Sequence, residues 1–476
     1  MEKVGIKQAA LYNAMSKYGT MIVQLGLTMI LSRLIAPEAF GVVAIITVIL
    51  GFLNLFADMG LGISIIQHPE MSKEDVNGLF SFSCIVGLVL AVFTLALSVP
   101  LSLFYEDSIY YILCSLVSSV SFLNALNVVP NSILTRDKQF KTIAIRSVVC
   151  AIVSGTIAVF LALLDLGVYA LVAQSIISAL FLFVWNYSLN PLKIVYFKFS
   201  KVIGILGKYS LFQILFNFLN YFTRNLDHLL IGKYFGSEKL GYYNKSYGLY
   251  LYPNTIFASV ITGVLHPYIR DYKDDFSKMY EKYMQIEKIL SIIGILTMMV
   301  TFFCSTEIIT LLFGESWEPA AIYLKCLSAC MWAQMIISVS GSIFLGLERT
   351  DKTFKCGIIN LVLLIISICI GVKYNSLILL SICVSVSYNI MFVITNYILL
   401  RETMSVSLWR FLKRLMPDCV FVFSFCALTL LIPDISDNRL LSLISKLALC
   451  LFFYSIYILA SGQLNLLVSI FKQIKR

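Results

Sequence analysis

A rhythm of apolar runs constrains this chain more than any single residue does. Runs long enough to cross a bilayer follow one another from end to end, parted by short connectors that carry most of the charge. A helix needs about 20 apolar residues to cross the hydrocarbon core, and about fourteen stretches qualify. They are residues 14–35, 40–62, 79–100, 109–134, 143–163, 167–187, 209–231, 243–265, 286–313, 320–345, 357–372, 377–400, 415–432 and 441–460. The eleventh is the shortest, and no connector leaves room for a soluble domain. With 59% of its residues hydrophobic and 13% charged, the chain lies outside the soluble range. The expected fold class is an all-α polytopic membrane protein.

The charge sets the orientation. With the N-terminus inside, 27 of the 36 Lys and Arg fall on the cytoplasmic side and 8 outside, with Arg224 left within a span. That is the positive-inside pattern, and it puts both termini in the cytoplasm. It also accounts for most of the net charge of +10, so nucleic acid is not implied as a partner. Lys3 and Lys7 precede the first run, but Asn13, Ser16, Lys17 and Tyr18 interrupt it, so it reads as a span and not a cleaved signal. Lys193, Lys198, Lys201 and Lys208 form a basic bridge suited to the inner leaflet. The 12 cysteines are scattered with no CxxC pair, so neither a metal site nor redox chemistry is expected.

The chain also echoes itself. SRLIAPEAFG at 32–41 answers GKYFGSEKLG at 232–241, and DKQFK at 137–141 answers DKTFK at 351–355. Each echo maps a connector onto the connector six spans later. Six is even, so the copies keep one membrane orientation and a repeat axis along the membrane normal. The expected organisation is a six-helix lobe at 1–190, a basic linker at 191–208, a second six-helix lobe at 209–400, and two further helices with a basic tail at 401–476. Two parallel lobes would enclose a central cleft.

One stretch breaks the apolar rule. In residues 220–247, Arg224 and Asp227 lie inside an apolar run, with Asn225 and His228 beside them. Positions three apart share a helix face, and each charge at the bilayer centre costs roughly 2.5–3.5 kcal/mol. Two readings are open. The pair neutralises itself and pins two helices, or it lines a hydrated cavity that handles charged cargo. Under the first echo Arg224 aligns with Gln24, so the charge belongs to the second lobe only.

These residues resemble a known family. Arg224, Asn225 and Asp227, followed by LIGKYFG at 230–236 and LGYYN at 240–244, are similar to the polysaccharide exporters of the O-antigen, colanic-acid and teichuronic-acid type. So are residues 32–41, with DMGLG at 58–62 after them. These exporters belong to the multidrug/oligosaccharidyl-lipid/polysaccharide exporter superfamily. The resemblance implies a flippase of the bacterial inner membrane with two six-helix lobes and alternating access. The implied cargo is a polyprenyl-diphosphate-linked oligosaccharide, and polysaccharide assembly proteins are possible partners.

Such a cargo gives the polar residues tasks. Arg224 is the first candidate for the diphosphate, because a guanidinium donates two parallel hydrogen bonds to an oxyanion. Asp227 would hold Arg224 between visits, bind a coupling cation, or simply pair. Arg33 and Lys233, at matching outer ends, would meet phosphate or snorkel to headgroups. Asp58 would cap its span or face the cleft, and His228 would titrate or serve as a structural donor. Gln24, Gln213, Asn217, Asn220 and Tyr221 suit sugars, or helix packing. Arg136, Asp137, Glu348 and Arg349 sit at echoed places on the inner rim as a candidate gate.

No GxxxxGK[ST] loop occurs, so ATP is not the direct driver, and proton or sodium coupling stays open. A drug–cation antiporter would want buried acids in the first lobe, where only Asp58 qualifies. A polymerase or glycosyltransferase would want a large outer loop, which the chain lacks. The expectation is a transporter and not an enzyme. A pure scaffold would leave export indifferent to Arg224.

Overall fold

A computed structural model describes residues 6–195, 211–271, 276–404, 406–429, 432 and 438–461. Most of the basic linker, with Lys198, Lys201 and Lys208, lies outside the described residues, as do 272–275 and the basic tail. Among the described residues every regular element is a helix. Among the described residues nine helices are long and apolar enough to cross a bilayer, and Ala320–Ser328 with Met331–Phe344, bent by 57°, would make a tenth. The described parts of the expected stretches fall largely on helix, but 286–313 and 320–345 are each broken into two helices, and the count of fourteen spans is not reached by the nine or ten apolar helices. The expected stretches 14–35, 209–231, 243–265 and 415–432 are not among them. Large apolar side chains such as Leu88, Leu103, Phe160, Phe423 and Phe452 stand exposed on the outside, as a hydrocarbon solvent requires. The chain is a multi-pass membrane protein.

It divides into two compact units, Met1–Gly241 and Tyr242–Arg476. The first holds α1 (Ile6–Leu34), α2 (Pro37–Asp58), α3 (Leu61–Gln67), α4 (Lys73–Ala96), α5 (Ser98–Tyr105), α6 (Ile109–Arg136), α7 (Phe140–Leu163), α8 (Val168–Leu189) and α9 (Leu211–Phe235). Pro37 and Glu38 suit the first turn of α2, where a missing N–H costs nothing and a negative charge meets the helix dipole. Ser72 caps α4, accepting from the Asp75 N–H at 3.1 Å. Leu61, Ile65, Leu79, Val129 and Ile133 form one core where α3, α4 and α6 meet. Leu31, Ala158, Ala162 and Ala170 form another between α1, α7 and α8, where small residues let the backbones close up. Helix α9 packs on α2 through aromatic rings. Phe52 lies 5.6 Å from Phe218 and 5.4 Å from Phe222, centroid to centroid. This contact carries α9 into the first unit, although the sequence places it at the start of the second lobe.

Helix α10 (Ser237–Asp271) begins in the first unit and continues into the second. There follow α11 (Phe276–Phe303), α12 (Ser305–Phe313), α13 (Ala320–Ser328), α14 (Met331–Gly346), α15 (Thr350–Lys373), α16 (Leu377–Tyr397), a π turn at Ile398–Thr403, α17 (Leu408–Thr429) and α18 (Arg439–Ala460). The span expected to be shortest, 357–372, is a full-length helix that starts at Thr350. Its charged first turns are held by Glu402, 2.6 Å from Lys352 Nζ and 2.8 Å from Lys355 Nζ. Trp317, Leu324, Leu327, Met335, Ile336 and Leu380 centre the core of this unit.

Polar pins fasten the last two helices. Lys446 Nζ of α18 lies 2.6 Å from Glu307 Oε1 of α12, both buried, and Ser442 donates to the same oxygen at 2.6 Å. Asp418 of α17 accepts from Ser291 at 2.6 Å and Tyr457 at 2.7 Å, while Ser291 accepts from the Trp332 indole at 2.8 Å.

Candidate functional site

Helix α9 has two faces. Thr223, Asp227, His228 and Ile231 are buried, while Asn220 and Arg224 are exposed and Asn217 is half-buried on the same side. The pairing reading of Arg224 with Asp227 does not hold. Asp227 Oδ1 accepts from the His228 backbone N–H at 2.9 Å and meets His228 Nδ1 at 2.9 Å. Arg224 has no hydrogen-bond or ion-pair partner among the described residues. A short carboxylate reaches its neighbour's backbone more easily than a long arginine three positions away, and burial of Asp227 favours that local bond.

Tyr221 is anchored, not free. Its hydroxyl donates to the Val48 carbonyl of α2, and its ring fills the space left by Gly51. Further along, the Tyr105 hydroxyl donates to the Leu229 carbonyl at 3.1 Å. Lys233 closes the helix against the connector after α5, 2.8 Å from Glu106 and 5.3 Å above the Phe104 ring. The Lys233 ammonium holds the Glu106 carboxyl below its usual range. Neither snorkelling nor an open phosphate contact describes Lys233 in this structure.

The other sequence candidates are dispersed. Gln24 and Arg33 are exposed on α1. Gln213 lies where the side chains are outside the described residues. Asp58 caps: its Oδ1 accepts from the Gly62 N–H at 3.2 Å, across Met59 and Gly60 in the left-handed region. The rim candidates form local pairs. Arg136 Nε lies 3.1 Å from Asp137, and Arg349 Nε lies 3.2 Å from Asp351 and not from Glu348, which stands exposed at positive φ. Tyr243, Tyr247 and Tyr250 on α10, within or just past the quoted motif, are buried core.

Sequence reasoning missed a cluster in the first unit. Arg146 of α7 is 5% exposed, not part of the connector that precedes it. Its guanidinium donates to Asn131 Oδ1 of α6 and to Asn186 Oδ1 of α8, and Asn186 Nδ2 donates to Asn127 Oδ1 at 2.6 Å. Asn127 and Asn131, one turn apart in an apolar span, were a readable signal.

The arrangement thus offers an exposed cation with no partner among the described residues, on the same side of α9 as the exposed Asn220 amide, which suits an anionic, hydrated group. Solved structures share the fold. The chain resembles the lipid II flippase MurJ in an inward closed conformation, with TM-score 0.72 and 18% identity over 98% of this chain and 100% of that one. It also resembles an inward-facing multidrug resistance MATE family transporter of the MOP superfamily, with TM-score 0.64 and 16% identity over 81% and 94%. Among curated proteins it is 25% identical to the succinoglycan biosynthesis transport protein ExoT of Rhizobium meliloti (strain 1021), over 65% of this chain and 63% of that protein. It is 22% identical to the teichuronic acid biosynthesis protein TuaB of Bacillus subtilis (strain 168), over 73% and 72%. It is 24% identical to the lipopolysaccharide biosynthesis protein WzxC of Escherichia coli (strain K12), over 74% and 72%. A family described as polysaccharide biosynthesis protein matches residues 30–322, more than half of the chain, and the chain belongs to that family.

Proposed function

We propose that this protein is a flippase. It carries a polyprenyl-diphosphate-linked oligosaccharide from the inner to the outer leaflet of the bacterial cytoplasmic membrane by alternating access. Its termini lie in the cytoplasm, and its product feeds a surface polysaccharide and the proteins that assemble it. Family and fold are those of transporters, which supports reading the chain as a transporter and not an enzyme. The observation that carries it is Arg224, exposed on α9 with no partner among the described residues. A cation on a membrane helix that is neither neutralised nor buried is placed for an anion that comes and goes. The cargo class draws on the relatives, whose names concern succinoglycan, teichuronic acid and lipopolysaccharide. Proton or sodium coupling, the membrane potential and consumption of the product outside are the candidate energy sources.

Deleting the gene and identifying the lipid-linked species that accumulates tests the reading. The expected result is a diphosphate-linked glycan trapped on the inner leaflet, cleared when the gene is restored. Normal glycan export without such a species would overturn it.

A further inference from the structure

We infer that Arg146, with Asn131 and Asn186, forms an oxyanion site in the first unit that takes a phosphate or diphosphate group. The guanidinium is a permanent charge in a position 5% exposed. Its hydrogen-bond partners are the amide oxygens of Asn131 and Asn186, and no carboxylate pairs with it among the described residues. A buried cation tied only to neutral groups keeps its desolvation cost without the Coulomb return. As a mere tie between three helices, an apolar side chain would serve better.

The geometry points to what is missing. Asn131 Oδ1 sits 3.2 Å from both terminal nitrogens, a single neutral oxygen straddling a fork built for two oxygens. Two of the guanidinium's five N–H donors remain, one on Nη2 and the Nε–H, and Nε is buried with no acceptor among the described residues. A phosphate displacing the Asn131 amide would engage the fork with two oxygens and supply the counter-charge. The depth fits as well. Arg146 lies six residues from the start of α7, about 9 Å along the axis at 1.5 Å per residue. Asn131 and Asn186 are nearer still to the ends of α6 and α8 on that side. All three thus lie in the same end third of their helices, about 6 Å inside the edge of a hydrocarbon core about 30 Å thick when α7 is centred in it, within reach of a long side chain that snorkels to the headgroups. The anion has two possible sources, the diphosphate of a lipid-linked cargo or the phosphate of an anionic phospholipid. The first rests on the proposed function, whereas the oxyanion site does not.

The test is thermal unfolding of the purified full chain in detergent, with inorganic pyrophosphate as probe. Pyrophosphate should raise the midpoint of the wild type and leave Arg146→Gln unmoved. Asn131→Asp separates a ligand site from a structural tie. Its carboxylate would pair with Arg146, so the protein should unfold at a higher temperature unaided and lose its response to pyrophosphate. A wild type indifferent to pyrophosphate, or an unchanged response in either variant, would overturn the site. Undecaprenyl diphosphate and phosphatidylglycerol, each added in mixed micelles, then distinguish the sources. A shift with the diphosphate lipid alone supports a cargo site, and a shift with both supports a general headgroup site. A shift with neither counts against any lipid-borne occupant. Because no arm measures export, failure here leaves the flippase reading standing, and the converse holds.

Discussion

Gly41 and Gly241 pack backbone against backbone. A side-chain carbon on Gly41 would run into the Ser237 carbonyl, and one on Gly241 into the Pro37 carbonyl. The contact is reciprocal: the first turn of α2 and the first turn of α10 each present the same two positions to the other. These are the stretches that echo one another at an offset of 200 in the sequence.

Alanine at either glycine should destabilise the protein by about 1–3 kcal/mol, because the atoms in the way are backbone and cannot change rotamer. The double variant should lose less than the sum, since both changes open one contact. Gly248→Ala, with nothing within 4 Å of its new carbon, is the control. It should be neutral or stabilised by up to about 1 kcal/mol. Thermal unfolding of the purified variants measures all four.

Removing the Arg224 charge should abolish export while protein accumulates normally. A charge-assisted bond to phosphate is worth about 1.5–3 kcal/mol, so a loss of roughly tenfold or more is expected from Arg224→Ala. Export measured in a deletion strain, beside the membrane level of the protein, checks it. Unchanged export would remove Arg224 from the mechanism. The swap Arg224→Asp with Asp227→Arg should give no rescue, because Asp227 is bonded to His228.

The clamp between Lys233 and Glu106 should be sensitive to acid. The folded state lowers the Glu106 value, so its stabilisation is complete above the ordinary carboxylate value of about 4.3 and fades as pH falls through the lower folded value. Unfolding curves of wild type and Glu106→Gln should therefore differ by a constant amount above about pH 5 and converge below it. An offset that grows on acidification would contradict the clamp.

Breaking the Glu307–Lys446 pair from one side strands a buried charge. Lys446→Met should cost about 3–5 kcal/mol, and adding Glu307→Gln should recover much of that loss. Unfolding midpoints of the two variants decide it. Equal loss in both would mean that packing, not charge, fixes α18.

Reversing Glu348 and Arg349 should slow export without lowering protein level. The Arg349 contact with Asp351 is an exposed pair worth at most about 1 kcal/mol to folding. A fall in protein level equal to the fall in export would assign these residues to folding instead.

Much of this architecture was legible in the sequence, because lipid leaves a chain few choices. Runs of sufficient length must be helices, and the described parts of these stretches are largely helical, though 286–313 and 320–345 are each broken in two. The outlying Arg224 was legible for the same reason, as a polar residue where nothing polar is free of cost. Its supposed partner was not, since spacing on a helix says which side chains are neighbours but not which bond is shorter. Asp227 had His228 one residue away. The long-range pairs were beyond reach altogether. Nothing in the sequence joins Asn127, Asn131, Arg146 and Asn186, and Arg146 counts naturally with the charged connector just before it. Nor does the sequence show that the aromatic rings of α9 meet Phe52 of α2, a contact that groups α9 with the helices before it.

The lateness of Lys446 bears on how the protein is made. Translation inserts α12 long before α18 exists, so Glu307 waits in the nascent bundle without its cation. A ribosome that stops early releases a product with a bare acid in oil, and membrane proteases can recognise that fault. Helix α18 thus doubles as a signal that synthesis has passed Lys446.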